Sequence, residues 1–360
     1  MGYILGALNL NDSDRAFGET VGQRLVYDAI QTYLTQVQME IDKAQSIFIA
    51  EETDAFKERY KLPGSGRLQD MGFDPRTLPG TVKTTGGWDV AYPLSSHQAG
   101  VAWSRVTMAY MTVGDLERHI QTVSVQNVNT SRYELLKAIF NSAQDTFSDP
   151  KNGSLSVEPL ANGDAVVYPP VIGSESQATD THYLESGYAA SGISDTNNPY
   201  VTIEAELCEH FGKSQGNDNV AVFINVAQKA KTEDLTDFVE VTDRFVIPGT
   251  QTARLTGLPA GHPGRVIGRS NGCWIIEWDW IPANYMVGIH LDADPPLKRR
   301  VDPADTGLST GLQLVFEDMD HPFEAQYWDN RFGLGCGNRL NGVVLELGTG
   351  GSYTVPAAYA

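Results

Sequence analysis

Two adjoining stretches constrain the fold more than anything else in the chain. The first, EETDAFKERYKLPGSGRLQDMGFDPRTLPGTVKTTGG, is polar, punctuated by Pro and Gly, and shows no hydrophobic period. About thirty residues of connection without structure of their own sit badly inside a compact domain. The stretch therefore reads as an arm lying across another surface. The second, GWDVAYPLSSHQAGVAWSRVTMAYMT (residues 87–112), reads as a long β-hairpin. Trp88, Val90 and Tyr92 alternate on its first strand. Val101, Trp103, Arg105, Thr107, Ala109 and Met111 alternate against Ala102, Ser104, Val106, Met108 and Tyr110 on its second, and SSHQAG supplies the turn. A two-stranded ribbon is marginal alone in water. With apolar residues on both faces, this one needs a partner surface on each side.

The remaining segments read as α+β. Residues 19–50 predict a helix whose apolar stripe is Val21, Leu25, Ala29, Tyr33, Val37, Ile41, Ala44 and Phe48. Residues 113–147 return to helix, with stripes at Leu116, Ile120, Val123 and at Leu135, Leu136, Ile139, Phe140, Ala143. Ser131-Arg-Tyr-Glu134 matches a capping box, so a break near Asn127–Thr130 competes with one long kinked helix. DAVVYPPVI is strand-like. Asn198-Pro199 opens a helix carrying Ile203, Leu207 and Phe211 and stopping at Gly212. NVAVFINV is a buried strand followed by a helix in AQKAKTEDLTDF. RVIGRSNGCWIIEWDWIP, NYMVGIHLDAD, LQLVFED, FEAQYWDNRF and NGVVLELG are strands.

Little in the chain points to chemistry. A net charge of −19 disfavours a broad nucleic-acid clamp. Lys298-Arg299-Arg300, beside Asp292, Asp294 and Asp302, reads as a solvated turn with internal ion pairs. Cys208, Cys273 and Cys336 are odd in number and widely spaced, which argues against a disulfide framework or zinc site and fits a reducing cytoplasm. The N-terminus shows no signal peptide and no apolar run is long enough to span a membrane. RFGLGCGNRLNG resembles a phosphate loop, but such loops lead into a helix, and the NGVVLELG that follows reads as a strand. Its glycines at 333, 335 and 337 instead permit close approach of backbone to backbone. His290, Asp292 and Asp294 share a strand face that Asp318, Asp320 and His321 would complete as a metal site, yet a solvated strand end explains them better. Glu277 and Asp279, about 6–7 Å apart on a strand face, invite a glycosidase reading among the tryptophans of CWIIEWDWIP. Tryptophan packing alone explains that segment.

The order of segments resembles the major capsid proteins of tailed bacteriophages, the shell fold shared with encapsulins. NDNVAVFINVAQKAK looks like that family's axial-lobe strand and helix, GRVIGRSNGCWIIEWDWIPAN like its Gly-rich strand pair, and HPFEAQYWDNRFGLGCGNRLNGVVLELG like the closing strands of its peripheral lobe. The resemblance implies an N-terminal arm (1–85), an extended hairpin loop (86–112), a spine helix with the first part of the peripheral domain (113–159), an axial domain (160–290) and the last part of the peripheral domain (291–360). It further implies a non-enzymatic protein with no cofactor, metal or catalytic residue. Its partners would be copies of itself in hexamers and pentamers, scaffolding, portal and decoration proteins, and packaged DNA held weakly. Its place is the virion, after assembly in the host cytoplasm. Inter-subunit contacts are expected at Trp88, Tyr92, His97, Trp103, Arg105, Arg331 and Arg339. Some members crosslink through a lysine in the extended loop; here Lys83 precedes the loop, so no crosslink is expected. Deleting Trp88–Arg105 should leave a folded protein that forms no shells. The competing readings are an encapsulin-like cargo compartment, an acidic β-rich glycosidase, and a minor decoration or tail protein.

Overall fold

The computed structural model describes residues 2–4, 8–10, 23–62, 68, 87–213, 219–240, 262–308, 310–318 and 323–360. In chain order the elements are β1 (Gly2–Ile4), β2 (Leu8–Leu10), α1 (Gln23–Gln45), β3 (Ile49–Thr53), β4 (Lys57–Tyr60), β5 (Trp88–Ala91), β6 (Ser95–Ser104), α2 (Arg105–Tyr110), α3 (Val113–Phe140), β7 (Asp145–Asp149) and β8 (Gly153–Val157). There follow β9 (Tyr183–Glu185), α4 (Pro199–Phe211), β10 (Val220–Ile224), α5 (Val226–Glu233), β11 (Val239–Glu240), β12 (Arg265–Ser270), β13 (Cys273–Glu277), β14 (Tyr285–His290), β15 (Leu297–Arg300), β16 (Gln313–Asp318), β17 (Phe323–Cys336) and β18 (Val343–Glu346).

A seven-stranded sheet ordered β11-β12-β13-β10-β14-β18-β9 forms the centre. Its middle strand, β10, is buried at all five residues, because each face has its own cover. On one face Tyr200, Ile203 and Leu207 of α4 meet Val220, Val222, Ile224, Val343 and Leu345. On the other, Leu135, Leu136, Ile139 and Phe140 of α3, with Phe48, meet Phe223, Ile276, Val287 and Val344. A strand covered on both sides needs an unbroken apolar run, which NVAVFINV supplies. Gly288 lets α4 seat closely: a Cβ there would lie 2.2 Å from Ile203 Cγ2. α4 starts where its sequence signals say, with the Asn198 side chain accepting from Tyr200 N, Pro199 in the first turn and Gly212 at φ 79° ending it.

A second sheet runs β16-β17-β15-β3, with β6 also pairing on β17. Here the expected hairpin is overturned. β5 pairs with β4, whereas β6 pairs antiparallel with β17 from Ser95↔Phe332 to Ser104↔Phe323. SSHQAG is extended strand rather than turn, and from Arg105 the chain is helical. The alternation marked a strand correctly over part of its length but carried no information about its partner, which lies more than two hundred residues downstream. The polar arm is also structured in its first part, as β3 and β4; its remainder, apart from Lys61, Leu62, Leu68 and Gly87, falls outside the described residues.

Four other expectations change. α1 ends at Gln45, and the chain then turns so that Ile47 and Phe48 enter the core and β3 runs parallel to β15. α3 is one unbroken helix of 28 residues, started by a reciprocal capping box between Thr112 and Asp115 rather than at Ser131. It passes through Asn127 because that buried amide is satisfied, its Oδ1 accepting from Asn330 Nδ2 at 2.6 Å. It also stops at Phe140, short of 147, and Ala143 is exposed. DAVVYPPVI forms only the isolated bridge Tyr168↔Ala178, with a second bridge, Asn162↔Thr181, just before it. Lastly, β18 does not join β17: it inserts between β14 and β9 in the central sheet.

The glycines of RFGLGCGNRLNG do what close packing requires. A Cβ on Gly333 would stand 2.1 Å from the Pro93 carbonyl oxygen, and one on Gly335 would stand 2.5 Å from the Tyr92 ring. The end of β17 thus lies directly against the chain leaving β5. Gly337 is looser, its nearest neighbour being the Tyr92 hydroxyl at 3.4 Å.

Candidate assembly surface and buried polar clusters

β17 leads outward. Its last residues, Gly333–Cys336, pair with β15 inside the body, whereas its first ten pair with β6 and, in part, with β16. The result is a three-stranded ribbon, continued by α2. Cross-strand pairs share a face, and the two faces differ near the body. Ala99 with Trp328, His97 with Asn330 and Ser95 with Phe332 form the inner face, where Trp328, Asn330 and Phe332 are buried. Ser96 with Arg331, Gln98 with Asp329 and Gly100 with Tyr327 form the outer face, where Ser96, Gln98, Gly100, Tyr327 and Arg331 are exposed. Ala102, Thr107, Ala109 and Tyr110 extend that exposed surface into α2.

The seven expected contact residues therefore divide. Trp88 is 3% exposed and its indole N–H donates to the Gly337 carbonyl at 2.9 Å, and Tyr92 is fully buried. Arg339 is fully buried too and reaches an acidic group, but of its own chain, at Asp164. These three are interior residues. His97 is half-buried against the Phe332 ring at 4.9 Å, and Arg331 is exposed and pairs with Asp302 at 3.3 Å. Trp103 lies on the ribbon opposite Glu324, and Arg105 opens α2.

The basic run 298–300 is strand β15, not a solvated turn. Lys298 meets Glu51 at 2.6 Å and Glu58 at 2.9 Å; Arg299 meets Asp42 and donates to Gln45; Arg300 meets Asp149 at 2.9 Å and donates to the Tyr92 carbonyl. Internal ion pairs were expected, but with neighbours in sequence; the actual partners come from α1, β3, β4 and β7. β15 sits between β17 and β3, so its side chains meet charges delivered by distant elements. Asp149 accepts the backbone N–H of Asn152, which outweighs the opposing effect of burial, and those of Lys151 and the Arg300 guanidinium; together they hold its carboxyl below the usual range. A lowered folded-state pKa means stability that is present above the unfolded value of about 3.9 and lost as pH falls through the folded one. The urea midpoint of the wild type should therefore exceed that of Asp149→Asn near neutrality, with the gap closing as pH drops from about 5 to 3. A gap that stays constant over that range would contradict the linkage.

The expected alternatives for chemistry lose their geometry. His290 is 2% exposed, and its Nε2 lies 3.0 Å from the Gly212 carbonyl and 2.9 Å from the Asn219 amide. Burial lowers its pKa. Asp294 accepts from the Tyr60 hydroxyl at 3.3 Å, and Asp320 and His321 lie outside the described residues. Glu277 is engaged by Lys229 at 3.5 Å and Arg265 at 3.3 Å, while β13 ends at that residue, so Asp279 shares no strand face with it. The three cysteines are buried and none is in a disulfide with another. Among the described residues no helix is long and apolar enough to cross a membrane.

One cluster escaped the sequence entirely. Asp180, His182 and His210 bring one ligand atom each within 4.8 Å of one another, as do Asp180, Glu206 and Glu209. Asp180 and His182 precede β9, and the other three lie on the last turns of α4. Burial alone would lower the His182 imidazole, but its hydrogen bond and charge interaction with Asp180 raise it overall. Burial opposes ionisation of Asp180, yet the two imidazoles hold its pKa well below the ordinary range. Burial, then Asp180 and Glu209, push Glu206 up to about 7. Glu206, Glu209 and His210 share a helical face by spacing, which was visible, but nothing local marks the two residues that the β9 approach delivers.

With this architecture in place, comparison with solved structures defines the class: the chain has the shell fold of tailed-phage capsid chains. A chain from Mycobacterium phage Patience is similar with a TM-score of 0.64 at 18% identity, covering 95% of this chain and 92% of that one. The capsid of a native GTA particle is similar with a TM-score of 0.50 at 12% identity, covering 85% and 90%. The mature capsid of bacteriophage PhiM1 is similar with a TM-score of 0.50 at 12% identity, covering 83% and 84%. No family model and no curated protein matches. The likeness thus resides in the path of the chain rather than in its residues.

Proposed function

We propose that this protein is a major capsid protein. Its copies assemble as hexamers and pentamers into an icosahedral shell around a double-stranded DNA genome, and it performs no chemistry. The observation that carries the reading is the fold match over 95% of the chain to a phage protein, joined to a ribbon whose outer face is exposed on the single subunit. In this reading residues 1–85 form the arm, 86–112 the extended loop, 113–159 the spine and first peripheral part, 160–290 the axial domain and 291–360 the last peripheral part. The loop's β6 is stiffened by β17 of its own chain and lays its outer face on the adjacent subunit. His97, Trp103, Arg105 and Arg331 remain the contact residues; Trp88, Tyr92 and Arg339 support the body that holds them. The net charge of −19 suits a wall facing dense phosphate without binding it. Virion location, assembly in the host cytoplasm, and portal, scaffolding and decoration partners follow from the same reading.

Electron microscopy of the purified full chain tests it. Closed shells or rings of five or six subunits are expected, and particles recovered from an infected host should hold nuclease-protected DNA. A species that stays monomeric at high concentration overturns the reading, and particles filled with protein instead of DNA make the chain a cargo compartment.

A further inference from the structure

The Asp180–His182–His210 cluster turns one ligand atom of each residue toward a common point. His182 is fully buried, and its Nδ1 lies 2.8 Å from the Gly342 carbonyl. A carbonyl only accepts, so Nδ1 carries the proton. In the neutral ring the lone pair of Nε2 then points at Asp180 Oδ2, 3.1 Å away. A positive centre, whether a proton or a metal ion, joins those two electron pairs, so Nε2 is the ring atom offered to a ligand. His210 Nε2 reaches the same oxygen at 2.7 Å, and Glu209 Oε1 stands 3.4 Å from that nitrogen. Glu206 adds a third carboxylate.

We propose that Asp180, His182 and His210, completed by Glu209 or Glu206, bind a divalent transition-metal ion of the zinc type. Ligands held at about 2.0–2.1 Å in a tetrahedron stand about 3.3 Å apart. The observed separations of 2.7, 3.1 and 3.4 Å lie around that figure, so these pairs accept an ion with shifts of up to about 0.6 Å, and the completing carboxylate swings further to reach it. The donor set of two imidazoles and carboxylates selects zinc-like ions over calcium and magnesium, which take oxygen ligands. The Gly342 carbonyl fixes the His182 tautomer and orientation from behind, as backbone carbonyls do for metal-bound histidines. His182 and His210 are nearly fully buried while Asp180 and Glu209 retain access to solvent, so the site has an entrance. The ion would tie the segment leading into β9, at the edge of the central sheet, to the C-terminal end of α4.

Cobalt reports the geometry directly. Full-length protein stripped with EDTA, titrated with CoCl2, should develop visible d–d bands that saturate at one equivalent and disappear on adding ZnCl2. Excess ZnCl2 should raise the melting temperature by about 3 °C. Asp180→Asn and His210→Gln, both close in shape to the native residues, should each weaken cobalt binding at least about a hundredfold, beyond what loss of an orienting partner alone costs. Glu204→Gln, on the same helix but facing Lys213, should bind as the wild type does. Absence of bands at stoichiometric cobalt overturns the site, and so does undiminished binding in both ligand variants. Shell formation is a separate readout, so failure of the metal site leaves the capsid reading standing.

Discussion

Arg339→Met is expected to destabilise the subunit by about 3–5 kcal/mol, whereas Arg331→Met, eight positions earlier on the same glycine-rich stretch, should change it by no more than about 0.5 kcal/mol. The side chain of Arg339 is entirely buried. Its Nε donates to the Pro159 carbonyl at 2.7 Å, and its Nη2 donates to the Leu160 carbonyl at 3.2 Å, to Asn162 at 3.2 Å and to Asp164 at 2.9 Å. The guanidinium also lies 5.8 Å from the centre of the Tyr168 ring. These contacts hold the irregular segment 159–168, which has no strand ladder to satisfy its backbone. Methionine fills much of the volume but takes the guanidinium from the Pro159 and Leu160 carbonyls and from Asn162, and leaves Asp164 with the Val166 N–H, so the desolvated carbonyls left behind carry most of the penalty. Total stabilities of 5–15 kcal/mol make a loss of this size visible as low soluble yield or a large drop in the urea midpoint. Arg331 pairs with Asp302 and has a 41% exposed side chain, so screening keeps that contribution small. Equal urea midpoints for the two variants would contradict the interior role of Arg339.

The same contrast shows which parts of the fold the sequence made legible. Elements defined by their own residues were readable. α4 announces itself through Asn198, Pro199 and Gly212, and β10 through its apolar run; the Gly-rich strand pair that the resemblance implied is β12–β13, joined at Asn271 and Gly272 with φ of 46° and 75°. Properties defined by distant partners were not. β6 alternates like any strand, and nothing in it distinguishes a hairpin mate from β17. Lys298-Arg299-Arg300 looks like surface because three adjacent cations usually are; it is interior because α1, β3, β4 and β7 deliver carboxylates to it. The Asp180–His182–His210 cluster is hidden for the same reason: its two halves are local in neither sequence nor element. The order of segments, by contrast, survives these errors of pairing, and it was the order that pointed to the shell fold.

Ala102→Arg combined with Tyr327→Glu should abolish closed shells while leaving the melting temperature of the subunit within about 2 °C of wild type. Both residues are exposed, on the outer face of the ribbon in the reading proposed above, with Tyr327 at 47% exposure over Gly100, where a Cβ would lie 3.3 Å from its ring. Exposed substitutions of this kind change subunit stability by no more than about 0.5 kcal/mol. On an adjacent subunit, each would bury a charge with no prepared partner, costing several kcal/mol. A penalty of about 3 kcal/mol per contact raises the concentration needed for that contact roughly a hundredfold, and a closed shell repeats the contact at every subunit. Removal of Trp88–Arg105 does not separate assembly from folding, because Trp88, Val90 and Tyr92 are core residues whose loss would unfold the body. The double substitution separates the two effects: native melting with capsomers or monomers under the microscope supports a docked ribbon, and normal shells would show that the outer face touches nothing in the assembly.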